Sequence, residues 1–140
     1  MIGAIYLRTQ SPHHAGSEQP LEALNLCQSF LVFNRDEAPE LRFYNIKSVT
    51  RVEYEATEED QQATKTNPMR CHLQLMDGAY IAGTIRESLP PNHARLLDYL
   101  NRADETFIKI HIDDGLIYLV NKSYINHVQV DQLGDDEGEG

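Results

Sequence analysis

Histidines are the residues of this chain with the most versatile chemistry, because neutral imidazole is a common metal ligand. The sequence has 6 of them. His13 and His14 are adjacent in a Ser-Pro-His-His-Ala-Gly segment, and His72, His111 and His127 each lie in a predicted strand. Zinc sites usually include two ligands a few residues apart, which the three strand histidines lack. The sequence therefore predicts surface histidines and no metal, unless strand pairing gathers those three.

Nucleophilic catalysis has little support. The chain contains no Gly-x-Ser-x-Gly and no phosphate-cradling glycine loop, and neither Cys27 nor Cys71 has an activating base near it in sequence. Both cysteines lie in apolar runs, which indicates buried thiols in a reducing cytosol. The carboxylates concentrate between Glu53 and Asp60 and in the C-terminal tail, where we expect solubilising charges. We predict a non-enzyme without a cofactor.

Basic side chains interleaved with aromatic rings could contact a single-stranded nucleic acid, with amines for the phosphates and rings for base stacking. The whole chain has 12 Lys and Arg against 22 Asp and Glu, and its formal net charge of −10 repels phosphate backbones and anionic lipid. Nucleic acid is therefore disfavoured, and no membrane contact is expected. The candidate residues for a partner or RNA contact are Lys122, Lys109, Arg102, Phe107, Tyr118 and Tyr124.

Strands must position these side chains, because most of the predicted secondary structure is β-strand. In FIKIHI, isoleucines alternate with Phe107, Lys109 and His111, a period of two that is typical of a half-buried strand. The other face of that strand is expected to meet solvent or a partner. SEQPLEALNLC, which contains Pro20, and PPNHARLLDYLNRAD, which begins with Pro90-Pro91, predict short helices. The N-terminal MIGAIYLRTQ resembles a first strand and neither a signal peptide nor a transmembrane span.

Glycine and asparagine mark the predicted turns. Gly78 and Gly115 each follow an aspartate, as in tight hairpin turns. Gly83 lies inside a strand, where a missing Cβ permits sharp bending. Asn45 and Asn121 are suited to a break between two strands, because asparagine hydrogen-bonds its local backbone and tolerates left-handed φ. The pair Asn121-Lys122 is thus expected mainly to bend the chain.

The two halves of the chain resemble each other at a constant offset of 76 residues between segments 21–54 and 97–130. An internal duplication is one explanation, and two unrelated β-hairpins are the other. We divide the chain into a first β-rich repeat (1–54), a polar linker or loop (55–68), a second β-rich repeat (69–133) and a disordered acidic tail (134–140). The identical pairs are Leu21 with Leu97, Leu24 with Leu100, Asn25 with Asn101, Asn45 with Asn121 and Val52 with Val128.

In its second half, LMDGAYIAGTI followed by FIKIHIDDGLIYLVNKSYINHV resembles the Sm-like family of small, strongly bent β-barrels, which includes the Hfq-like RNA chaperones. The chain also resembles bacterial proteins of unknown function. The resemblance covers about 45 of the 140 residues. Where the Hfq-like pattern has tyrosine, lysine and histidine in a row, this chain has Asn121, Lys122 and Ser123. The resemblance therefore implies a fold more than RNA binding.

Together these features predict a mainly β fold with short helices. Its two similar halves would form either small bent Sm-like barrels or one continuous bent antiparallel sheet. The predicted function is a non-catalytic protein-interaction or scaffold module of the bacterial cytosol, with a homodimer expected from exposed strand edges. An Sm-like RNA binder is the alternative, and a small metal protein or enzyme is the third.

Overall fold

The computed structural model describes residues 3–5, 19–36, 40–58, 60, 68–86 and 93–130. Within these residues antiparallel strands form two sheets and the helices are short, which confirms the predicted mainly β fold. Neither sheet is closed into a barrel over the described ranges. His13, His14 and the acidic tail at 134–140 lie outside the described residues. Among the described helices, none has the length and apolar character needed to span a membrane.

The smaller sheet has three strands in chain order and is built from the N-terminal part of the chain. A short helix, α1 (Pro20–Leu26), precedes its second strand. The proline occupies the first turn, and the backbone N–H of Gln19 donates to Oε1 of Glu22 at 3.0 Å, so the helix start is capped. The strands are β1 (Gly3–Ile5), β2 (Phe30–Arg35) and β3 (Leu41–Asn45).

The larger sheet has six strands in the order β4-β8-β7-β6-β5-β9. Helix α2 (His93–Leu100) lies between its third and fourth strands in the sequence. A 3₁₀ turn at Ile46–Ser48 leads into β4, and another at Lys122–Tyr124 leads into β9. The strands are β4 (Arg51–Glu55), β5 (Met69–Leu75), β6 (Tyr80–Ile85), β7 (Phe107–Asp113), β8 (Leu116–Asn121) and β9 (Ile125–Val130).

Strand β4 joins the two predicted halves. It belongs to the segment predicted as the first repeat, yet it pairs antiparallel with β8 of the second, with Arg51 opposite Val120. Helix α1 reinforces this junction, because Asn25 accepts from the backbone N–H of Phe107 at 2.7 Å and donates to its carbonyl at 3.4 Å. The segments predicted as separate repeats therefore share one sheet.

Two apolar clusters form the core and meet at β7. One is centred on β5, β6 and α2, and the other combines α1 with residues of β7 and β8. Phe107 and His111, which were predicted on a face open to solvent or a partner, are both buried. That prediction is wrong because both faces of β7 are covered, with Phe107 packed in the same cluster as Leu24 and Ile117.

Glycine is required at Gly78 and at Gly83 of the β5–β6 hairpin for two different reasons. Gly78 has φ of +92° in the turn of this hairpin, a value that L side chains rarely adopt. Gly83 instead lies where β6 crosses β7 closely. A Cβ there would lie 2.9 Å from the carbonyl oxygen of His111 and would overlap the side chain of Ile110. The hydrogen at this position lets β7 approach.

Gly83→Ala is expected to lower the free energy of unfolding by about 1 to 3 kcal/mol, because the added methyl must push β6 away from β7. Urea denaturation followed by circular dichroism measures the change. Gly115→Ala is the matched control, since a Cβ there meets only the Asp113 carboxylate at 3.7 Å. Equal losses in the two variants would contradict the close-approach explanation.

Candidate functional site

Asn45 and Asn121 occupy equivalent places, each at the residue before a 3₁₀ turn, 76 residues apart. The side-chain oxygen of Asn45 accepts from the N–H of Lys47 at 3.0 Å, and that of Asn121 accepts from the N–H of Ser123 at 2.9 Å. Both backbones are extended, with φ of −62° and −70°, so no left-handed conformation is used. Capping of the 3₁₀ turn is one reason for asparagine at both positions.

Asn121 does more than turn the chain. It is 1% exposed, and its Nδ2 donates to the carbonyl of Val49 at 3.0 Å. Its backbone N–H donates to the carbonyl of Thr50 at 2.9 Å. The side chain and backbone of Asn121 therefore connect the second 3₁₀ turn to the start of β4, while Asn45 in the first turn is exposed.

Lys122, the central candidate for a partner or RNA contact, is engaged within the chain. Its Nζ donates to the carbonyl of Leu100 at 3.0 Å and to that of Arg102 at 2.7 Å. These carbonyls end helix α2, where a cation also interacts favourably with the helix dipole. Burial lowers the pKa of Lys122, and the carboxylates of Glu105 and Asp104 oppose that shift. Lys122 thus ties α2 to the turn before β9.

The other two basic candidates also have acidic partners. Lys109 donates to Oδ1 of Asp60, which is itself 2% exposed. Arg102 pairs with Glu105 at 3.1 Å, and its guanidinium lies over the ring of Tyr99, 5.7 Å from the ring centroid. Asp60 was predicted to be a solubilising charge, and its burial shows that prediction to be wrong.

The three aromatic candidates lie in different surroundings. Phe107 is fully buried, Tyr118 lies under the guanidinium of Arg51 at 5.5 Å, and the hydroxyl of Tyr124 donates to the carbonyl of Lys47 at 3.0 Å. The structure therefore does not assemble the six predicted contact residues into one open surface. These residues were predicted from their types alone. Residue type does not show that Lys109, Lys122 and Arg102 already bind groups of the same chain.

The three strand histidines lie in different settings. His72 stacks on Tyr80 with ring centroids 5.7 Å apart, and Nε2 of His127 hydrogen-bonds Oε1 of Gln74 at 2.9 Å. His111 is 6% exposed, so it is not the surface histidine that was predicted. Among the residues the structure describes, no three His, Cys, Asp or Glu side chains form a group that could hold a metal ion.

Burial controls the charge state around β7. It lowers the pKa of His111 to about 4, and the positive charges of Arg86 and Lys109 act in the same direction. For Asp60, burial alone would raise the carboxyl pKa. Hydrogen bonds from Lys109 and from Thr57 outweigh this effect and lower it. The result is a fixed Asp60–Lys109 ion pair beside a neutral imidazole.

Four described strands lie at sheet ends, β1 and β3 in the smaller sheet and β4 and β9 in the larger, and one apolar face is exposed. Strand β3 ends the smaller sheet and β9 ends the larger, so each has a described strand on one side only. Val32 of β2 lies opposite Phe43 of β3, and Phe43 is 64% exposed. Phe30 and Leu41 lie on the same face and are exposed as well. This β2–β3 face is a solvent-exposed apolar surface next to an open edge.

Comparison of the chain with protein-family models, with curated proteins and with solved structures finds no match. The Sm-like resemblance and the internal duplication stay predictions.

Asn121→Ala is expected to lower the free energy of unfolding by about 2 kcal/mol, because it removes a cap and leaves the partly buried carbonyl of Val49 without its donor. Asn45→Ala removes only an exposed cap and should cost about 1 kcal/mol or less. Urea unfolding of both variants in dilute solution measures the difference. Equal losses would mean that the contact with Val49 contributes nothing.

The protein is expected to lose stability as the pH falls from 8 to 5. The pKa of His111 is about 4 in the folded chain against 6.5 normally, so the unfolded chain takes up the proton first. The resulting loss is about 2 kcal/mol at pH 5. His111→Gln should remove this share of the pH dependence, and His127→Gln, at an exposed position, should retain it. The same pH profile in both variants would rule out His111 as the source.

Proposed function

We propose that the chain is a non-catalytic protein-interaction module of the bacterial cytosol, and that it pairs with a second copy of itself through β3 and β9. The observation that carries this proposal is the junction of β4 with β8 inside one chain. In that junction β4, the last strand of the first half, pairs with β8, the next-to-last strand of the second half. The 76-residue offset maps β4 onto β9 and β8 onto β3. The corresponding two strands, β3 and β9, each lie at the end of a sheet in the described residues, as do β1 and β4.

The register of the internal junction gives the register of the proposed contact. Within the chain, Val52 lies opposite Leu119 and Glu53 opposite Tyr118. Transferring these pairs by the 76-residue offset places Phe43 opposite Val128 and Arg42 opposite Gln129 of the second copy. In the same arrangement the exposed amide of Asn45 would face a carbonyl at the start of β9, as Asn121 faces Val49.

The chemistry of both edges suits this contact. An open edge presents unpaired N–H and C=O groups, which pair readily with another strand. The exposed Phe43 and Leu41 lose contact with water when a strand covers their edge, which favours association. In a two-fold dimer each β3 meets the partner's β9, so the two copies use the same pair of edges and the contact closes on itself.

Protein contact is favoured over RNA contact by the state of the lysines. The ammonium groups of Lys109 and Lys122 are held by Asp60 and by backbone carbonyls, respectively. The proposed cytosolic location agrees with the free thiols of Cys27 and Cys71, of which the second is buried.

We expect the purified protein to be a dimer at micromolar concentration in size-exclusion chromatography with light scattering. Phe43→Lys should shift it toward monomer, because the ammonium would have to be desolvated at the contact. Met76→Lys is the matched control, since Met76 is equally exposed but lies in the β5–β6 turn. A wild-type monomer at all concentrations, or equal effects of the two variants, would overturn the proposal.

A disulfide test checks the register. Arg42→Cys combined with Gln129→Cys should form crosslinks between copies under mild oxidation, since directly opposite residues bring their Cβ atoms within about 5.5 Å. Arg42→Cys combined with Asn126→Cys places the thiols out of register and serves as the control. Mass spectrometry of mixed isotope-labelled copies identifies intermolecular bridges. Crosslinking only in the control pair would refute the proposed register.

A further inference from the structure

A polar cavity of about 360 Å³ lies beside β7 and has no role in the proposed self-assembly. We propose that it binds a small oxyanion, a carboxylate or a phosphate, through Arg86 and His111. The volume is within the range of small-molecule sites. The lining residues are Ala56, Asp60, Arg86, His111 and Asp114.

His111 is the first indication of a ligand. The residue is 6% exposed and lines the cavity. Its ring nitrogens are not among the enclosed side-chain atoms that lack a partner, so with no hydrogen bond to a described residue they are open to the cavity. A neutral imidazole has one N–H donor, which an oxyanion in the cavity would accept.

Arg86 is the second indication. Its only described partner is Asp114, at 3.6 Å from one terminal nitrogen, so most of the five guanidinium N–H donors remain for another acceptor. Asp114 has a side chain that is 98% exposed, and water screens its charge. The guanidinium fork matches the paired oxygens of a carboxylate or a phosphate.

Asp60 does not convert the cavity into a cation site, because its carboxylate is already engaged by a cation and by Thr57. It accepts from the N–H of Thr57 at 2.9 Å, from the hydroxyl of Thr57 at 3.1 Å and from the ammonium of Lys109. The Asp60–Lys109 pair is close to neutral. Arg86 is the cationic side chain of the lining, and its ion-pair partner Asp114 lies on the solvent side, where its charge is screened most.

The test is an NMR titration of the His111 ring signals in the full chain at pH 7. Inorganic phosphate and succinate are added in separate arms, with sodium chloride at matched ionic strength as the reference. We expect saturable shifts of His111 in at least one arm, with no saturable shift of the exposed His127. Saturation with one anion alone would identify the preferred oxyanion and support the site.

Arg86→Gln should weaken the binding about tenfold or more, since it removes charge-assisted hydrogen bonds. Arg102→Gln is the matched control, because this surface guanidinium is paired with Glu105 outside the cavity, and it should bind like the wild type. An anion beside His111 stabilises its protonated form, so the ring should titrate at a higher pH with the anion bound than in the chloride reference. Linear shifts in both arms, or undiminished binding by Arg86→Gln, would overturn the proposal.

Dimer formation measured in the same samples separates this site from the proposed function. Loss of binding in Arg86→Gln with an unchanged oligomeric state supports the cavity as an independent site. A protein that remains monomeric and still binds phosphate or succinate through Arg86 would refute the self-assembly proposal and leave the oxyanion site standing.

Discussion

The antiparallel pairing of β4 with β8 is the interaction on which the rest of the structure depends. It brings a strand from the N-terminal part of the chain into the larger sheet and covers one edge of β8. Asn121 adds a buried side-chain bond to Val49 at the same junction, and Asn25 reaches from α1 to the backbone of Phe107. Without these contacts the apolar cluster around Phe107 would lose its N-terminal wall.

Covering β7 on both faces has a chemical consequence. A strand with one solvated face can carry Lys109 and His111 without special arrangements, but a doubly covered strand must supply partners for them. Lys109 receives Asp60, whose carboxylate is fixed by Thr57. His111 stays neutral and borders a cavity. The segments that pack over β7 therefore have two effects. They bury the strand, and they create the Asp60–Lys109 pair and the cavity beside His111.

Much of the fold could be predicted from local sequence signals. Alternating apolar residues, prolines before helices and glycines or asparagines at turns placed β2 to β9 and both helices near their observed positions. The burial of Phe107 and His111 was not predictable in this way, because it depends on α1 and on residues far away in sequence. Asp60 lies in the acidic run EATEED, and nothing in that run distinguishes the one carboxylate that pairs with Lys109. The burial of Phe107, His111 and Asp60 depends on contacts between distant segments, which the periodicity of the sequence does not reveal.

The separation of β4 and β8 along the chain also affects how the protein is made. Arg51 and Val120 are about 70 residues apart in sequence, so β4 leaves the ribosome long before its partner is synthesised. Closing such a distant contact is entropically costly and slows folding. Until then the nascent chain exposes an unpaired strand and the apolar side chains beside it, a state prone to aggregation. Chaperone demand during translation should therefore be concentrated in the interval between the synthesis of β4 and that of β8.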